Sequence, residues 1–229
     1  MKTTHIAAII TFTFCASLQA EPVFRLTASG GAYRSVFGNA VAACGDYTIV
    51  GAGDETKATN AYIYHRTATG WVEEAKLVTT AHPTNSGKFG HSVAMGKDYA
   101  VVGAPYEYQG AGRVYVYQRS GTNWNPAATF IPPKLAPEPP TPPYFGQAVA
   151  ADGDLIAVGA PYGSETLPGS VFLCRRIAGA WQFEAQLSTT NGYPMFRCGW
   201  DVAVCGDTVA MLGQGIWSPD LTAYGVVIW

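Results

Sequence analysis

Phe89-Gly90-His91-Ser92-Val93-Ala94, then Asp98, then Val101-Val102-Gly103-Ala104-Pro105, is a pattern that returns along the chain. Upstream it reads Phe37-Gly38-Asn39-Ala40-Val41-Ala42, Gly45-Asp46 and Ile49-Val50-Gly51-Ala52-Gly53. Downstream it reads Phe145-Gly146-Gln147-Ala148-Val149-Ala150, Gly153-Asp154 and Ala157-Val158-Gly159-Ala160-Pro161. A fourth, worn copy begins at Cys198-Gly199-Trp200-Asp201-Val202-Ala203 and keeps Gly206-Asp207, with Leu212-Gly213-Gln214 in the later position. The copies start 52, 56 and 53 residues apart. A period in this range signals stacked supersecondary units.

The match extends further along each copy. Ala61-Tyr62-Ile63-Tyr64, Val114-Tyr115-Val116-Tyr117 and Val171-Phe172-Leu173-Cys174 are equivalent apolar runs, each followed by a Gly-containing turn and then Trp71, Trp124 or Trp181. Six residues beyond each Trp stands Leu77, Phe130 or Leu187. The third run of the last copy is Val226-Val227-Ile228-Trp229. Alternating Val and Tyr with a Gly-Asp turn reads as short antiparallel strands. Each period holds four strands of ordinary length. Such a sheet cannot bury both faces alone, so the copies must stack. The fold class is therefore all-β, a β-propeller of four blades with four antiparallel strands each. The blades fall at about 37–78, 89–131, 145–188 and 198–229 within a domain of residues 21–229.

The last copy lacks a fourth strand. Val23-Phe24-Arg25-Leu26-Thr27-Ala28-Ser29 resembles Glu74-Ala75-Lys76-Leu77-Val78-Thr79-Thr80 and Glu184-Ala185-Gln186-Leu187-Ser188-Thr189-Thr190. From Leu26 to Phe37 is 11 residues, as from Leu187 to Cys198. The N-terminal strand 22–29 is thus expected to complete the last blade and close the ring, which removes an open edge and gives a monomer. The alternatives are a piece of a longer propeller, or a half-ring completed by a second chain.

The Phe-Gly and Gly-Ala-Pro elements resemble the FG-GAP repeat family of integrin α-chain heads and of many secreted or surface bacterial proteins. The copies at Phe89 and Phe145 match in full, the copy at Phe37 lacks the Pro, and the fourth departs at both ends. The resemblance implies a β-propeller, usually of seven blades, acting as a binding scaffold outside the cell. It also implies calcium in many members, held by an Asp-x-Asp-x-Asp-Gly run, since a hard cation needs oxygen ligands at alternate positions. Gly53-Asp54-Glu55-Thr56, Tyr106-Glu107-Tyr108-Gln109 and Tyr162-Gly163-Ser164-Glu165 contain no such run. No calcium site, and no other metal or cofactor, is therefore expected.

With 14 basic and 16 acidic residues among 229, the net charge of -2 offers nothing to neutralise a phosphate backbone, which argues against nucleic acid. Met1–Ala20, with Lys2 ahead of the uncharged run Ile6–Ala16, reads as a signal peptide. The chain is expected to be secreted, periplasmic or at the cell surface, with no membrane span in the mature part. An even set of cysteines in an exported chain allows disulfides; Cys44–Cys205 and Cys174–Cys198 are the pairings weighed.

Gly-x-Ser-x-Gly, His-Glu-x-x-His and P-loop motifs are absent. Asp46, Asp98, Asp154 and Asp207 recur once per copy and read as turn residues. Two groups remain as candidate sites. The residue after each Phe-Gly pair forms an axial ring: Asn39, His91, Gln147 and Trp200. The loops on one face hold Tyr33, Tyr106, Tyr108, Tyr144, Tyr162, Tyr193, Trp217 and Tyr224. Tyr and Trp give large contact area with a polar handle, as protein and sugar partners require. The Pro-rich segment 131–143 reads as a stiff extended loop. The expectation is a non-enzymatic scaffold recognising a protein or glycan through that face. The alternatives are a hydrolase or lyase using the axial pocket, with His91 or Asp201 in the chemistry, or a structural module of a longer surface protein.

Overall fold

The computed structural model describes residues 23–29, 36–53, 60–79, 87–133, 142–162, 169–188, 197–218 and 221–228, the last stretch from 214 onward by its backbone alone. The expected leader at 1–20 and most of the Pro-rich segment lie outside these residues.

The described residues are all β apart from one helical turn. Sheet one holds β1 (Ala40–Cys44), β2 (Tyr47–Ala52), β3 (Asn60–Thr67) and β4 (Gly70–Leu77). Sheet two holds β5 (Ser92–Met95), β6 (Tyr99–Ala104), β7 (Arg113–Ser120) and β8 (Asn123–Phe130), with the turn α1 (Glu107–Gly110) between β6 and β7. Sheet three holds β9 (Ala148–Asp152), β10 (Leu155–Ala160), β11 (Ser170–Ile177) and β12 (Ala180–Ser188). Sheet four holds β13 (Arg197–Cys205), β14 (Thr208–Ser218) and β15 (Leu221–Ile228). Strands are consecutive and antiparallel throughout, and the first three sheets share a register shift between the third and fourth strands, at Ile63/Tyr64, Val116/Tyr117 and Leu173/Cys174. This is the propeller-like arrangement that the repeat predicts.

The repeat motif has a local physical cause. The residue before each Phe accepts a hydrogen bond from the residue after the Gly: Asn39 N–H to Val36 O (3.1 Å), His91 N–H to Lys88 O (2.8 Å), Gln147 N–H to Tyr144 O (3.0 Å). The third position of this four-residue turn needs a positive φ, and Gly38, Gly90 and Gly146 stand at φ 93, 88 and 90. The same glycines donate back to the Gly-Ala element, with Gly38 N–H to Gly51 O at 2.9 Å, Gly90 to Gly103 at 3.1 Å and Gly146 to Gly159 at 3.0 Å. The Gly-Ala glycine must also be bare. A Cβ on Gly51 would stand 2.1 Å from Gly90 O of the next sheet, and one on Gly159 the same distance from Gly199 O. Inner strands of neighbouring sheets therefore touch backbone to backbone.

Side chains fill the wedge outside that contact. Phe89 and Phe145 are fully buried, and their rings meet Tyr115 and Phe172 at 5.4 Å in both cases. Leu77 of sheet one packs into the cluster of Phe89, Val93 and Val102; Phe130 of sheet two packs with Phe145, Ile156 and Phe172. Each outer strand thus seals the face of the sheet that follows. Burying such aromatic and aliphatic side chains, each worth about 1.5–3 kcal/mol, binds the sheets into one body.

Two expectations about the termini and cysteines find no support among the described residues. Residues 23–29 form no strand, sheet four has three strands among the described residues, and β1 and β13 do not pack together as consecutive inner strands do. Among the described residues the sheets do not close into a ring. Yet the N-terminal segment keeps the contacts of an outer strand on sheet one. Leu26 and Ala28 pack on Val50, Ala52, Tyr62 and Tyr64, and Tyr64 Oη donates to Thr27 O at 2.9 Å, as Tyr117 Oη donates to Val78 O at 3.1 Å. The paired disulfides fail on geometry. Cys44 sits on the face of sheet one that meets sheet two, and Cys205, its equivalent, is exposed on the matching face of sheet four. Equivalent residues point the same way around the stack, so they cannot face each other. Cys174 lies in the cluster between sheets two and three, Cys198 in that between three and four.

Candidate functional site

The turn that Phe-Gly imposes sets the residue after it at the head of each inner strand. Asn39, His91, Gln147 and Trp200 therefore emerge at one end of the stack. They do not behave alike. Asn39 Nδ2 donates to Gly90 O (3.2 Å) and His91 O (3.0 Å), while its Oδ1 accepts from Gly53 N–H (3.1 Å). It stitches sheet one to sheet two. His91 Nε2 lies 3.0 Å from Gln147 Nε2, a bond joining sheets two and three. Burial, reinforced by the charge of Lys88, lowers the His91 pKa, so its ring is neutral near pH 7 and accepts from the amide. Trp200 is instead 38% exposed.

The loop tyrosines continue from these residues. Tyr106 follows Gly103-Ala104-Pro105, Tyr162 follows Gly159-Ala160-Pro161, and Tyr144 precedes Phe145. Their rings form a continuous row with the axial residues. His91 meets Tyr106 at 6.3 Å, Tyr106 meets Tyr144 at 5.0 Å, Tyr144 meets Tyr162 at 4.9 Å, and Tyr162 meets Trp200 at 5.8 Å. Five residues drawn from the two groups thus share one row, running from sheet two across sheet three to sheet four.

Cations flank the row. Lys88 Nζ stands 4.0 Å from the Tyr106 ring centre, and the Arg197 guanidinium carbon 4.7 Å from that of Tyr162. A cation over an aromatic face is held by the ring quadrupole. Tyr108 is 48% exposed, with Arg113 stacked over it at 3.9 Å. Below it the α1 turn drives Glu107 into the interior, where it accepts from Tyr115 Oη at 2.6 Å, with Arg113 Nε at 3.8 Å. Burial and the bond to Glu107 push the Tyr115 phenol up to about 12. This buried pair anchors the loop that carries Tyr106 and Tyr108. Tyr33 and Tyr193 lie outside the described residues, and the side chains of Trp217 and Tyr224 likewise.

Sequence reasoning missed the two flanking cations. Their signal was present, because Lys88, Tyr144 and Arg197 all occupy the position just before the Phe-Gly pair or its worn copy. The recurring turn aspartates contribute their backbone carbonyls. The main-chain O of Asp46, Asp98 and Asp154 accepts from the backbone N–H of Arg66, Arg119 and Arg176, respectively (2.7, 2.8 and 2.9 Å). Among the described residues no group of three His, Cys, Asp or Glu is placed to hold a metal. No described helix is long and apolar enough to cross a membrane.

The FG-GAP repeat pattern matches residues 22–64, 71–117 and 138–174. The chain belongs to the FG-GAP repeat family. The match spans most of the first three sheets, including Lys88, His91, Tyr106, Tyr144 and Tyr162. No curated protein sequence matches this FG-GAP chain. Among solved structures it is similar to an endo-arabinase from Bacteroides thetaiotaomicron, at 12% identity and a TM-score of 0.40, over 80% of this chain and 70% of that one.

Proposed function

We propose that this FG-GAP chain is an exported, non-enzymatic binding module that holds an extended partner, a glycan or a protein segment, along the aromatic row. The observation that carries the reading is the unbroken series His91–Tyr106–Tyr144–Tyr162–Trp200, with Tyr106 41% and Trp200 38% exposed. Ring faces and edges take up sugar rings or apolar side chains, and phenol and indole groups satisfy polar neighbours. Lys88 and Arg197 add charge complementarity for carboxylates on the partner. Export is inferred from the leader-like Met1–Ala20. Binding is favoured over catalysis because His91 is committed to Gln147 and the Asp201 carboxylate accepts from the neighbouring Val202 N–H at 2.9 Å.

The test is an array of polysaccharides and extracellular proteins probed with the purified chain, followed by titration of the best hit. Tyr144→Ala and Tyr162→Ala should each weaken it about tenfold or more, the cost of a truncated aromatic anchor. Val72→Ala, on the outer strand β4, should change nothing. Equal binding by all three variants would refute the row as the site. A turnover on any arrayed substrate that His91→Ala abolishes would replace binding with catalysis.

A further inference from the structure

We propose that two copies of this chain dock head to tail, the open face of one copy's fourth sheet on the open face of the other's first sheet. The stacking surface is already defined three times within the chain. Between sheets one and two, Ala40, Ala42, Ile49 and Leu77 meet Phe89, Val93 and Val102, and the same pairing of faces recurs at the next two junctions. At the first end the outer part of this surface, Val50, Ala52, Tyr62 and Tyr64, lies under Leu26, Ala28 and Phe37, and the inner strand is left open. Val41, equivalent to Val93 and Val149, is 68% exposed where those are 7% and 9%. At the other end Ala203 and Cys205 are exposed, whereas Ala42 and Cys44, their equivalents, pack on the core.

The outer strand identifies the occupant. Sheet four presents the edge of β15 with no fourth strand among the described residues. Leu26 and Thr27 make an outer strand's contacts to sheet one without belonging to any sheet. Among the described residues, sheet four thus has three strands, and Leu26 to Ala28 have an outer strand's contacts without a sheet. Within one copy the two ends do not meet. Between two copies related by a two-fold axis both joints form at once, each N-terminal segment lying beside the other copy's β15, an exchange of the domain-swapping kind.

Light scattering on the purified chain over a wide concentration range tests this. The expected result is twice the chain mass, persisting to low micromolar. Val41→Lys and Ala203→Glu fall on exposed positions of the single copy, so each should shift the mass to one copy with unchanged circular dichroism. By equivalence with Val93 and Ala42, which share one cluster, the two positions meet at the joint. The double variant Val41→Lys with Ala203→Glu should therefore recover the two-copy mass. A one-copy mass at every concentration would overturn the proposal. So would a two-copy mass indifferent to both single variants, or a ladder of larger masses, since an unclosed head-to-tail contact polymerises.

Discussion

Gly103 shows how a single residue can decide the packing of a whole sheet. A Cβ there would lie 2.2 Å from Ser92 Oγ and 2.3 Å from Gly146 O, the second a backbone atom of the next sheet. We expect Gly103→Ala to cost about 3 kcal/mol or more, as overpacking with backbone displacement does. Gly121→Ala, with open space but φ 62, should cost only about 1 kcal/mol; urea unfolding of the two variants checks the contrast. His91 gives a pH signature. Its folded pKa lies below the ordinary value of 6.5, so the unfolded chain takes up the proton first as pH falls. Stability should be intact above about pH 6.5 and decline below it. His91→Gln should flatten that decline in unfolding midpoints measured from pH 7.5 to 5. These residue-level facts were partly legible. The Phe-Gly and Gly-Ala pairs announced themselves by recurrence, but recurrence does not say that one glycine serves a turn and the other a contact between sheets. Nor could spacing reveal that Asn39 would spend its amide on the backbone of sheet two, since that depends on the distance between inner strands.

The strands and their order could be read almost completely, because each copy repeats the same alternation and the same turn. The N-terminal element could be read by half. Its likeness to the segments around Leu77 and Leu187 led to an expected backbone pairing with the last sheet, whereas the structure shows side-chain contacts on sheet one. Packing depends on a residue's position along the chain, whereas pairing needs a second edge within reach, and β15 is not brought there. Tyr64 and Tyr117 make the same bond, one to this segment and one to sheet one. Tyr64→Phe and Tyr117→Phe should therefore each cost about 1 kcal/mol, provided the segment is as firmly seated as a true strand. A loss for Tyr117→Phe alone, seen in thermal melts, would show that it is not. The aromatic row belongs to this scale as well. Its members come from three repeat positions on neighbouring copies, so tabulating residues copy by copy separates what the stack puts side by side.

At the scale of the molecule the sequence invited a closed ring, and the described sheets form an open stack. Equivalent residues point the same way around it, which is why the Cys44–Cys205 pairing fails. Arg176 shows how neighbouring sheets are also tied at their turn ends. Its Nε bonds Asp154 at 2.7 Å and its Nη1 reaches across to Asp98 at 3.0 Å. Burial would raise the Asp98 pKa, but hydrogen bonds from Arg176 and Gln118 with the arginine charge outweigh it and hold the carboxyl below its ordinary value. Arg176→Ala should cost about 1 kcal/mol, with the loss reduced in high salt. The glycine contacts at the inner strands carry a consequence for curvature. They fix how near two neighbouring sheets come at the axis, and they do so with backbone atoms that no mutation can resize. Only the outer ends are free to vary, through Leu77, Phe130 and Leu187, each wedged against the sheet that follows. Like the stones of an arch, the sheets share one narrow end, and the arc they sweep is set by the thickness of the other. A bulkier residue at Leu77 would splay its pair of sheets and widen the step, so the number of units needed to complete a circle is governed from the rim.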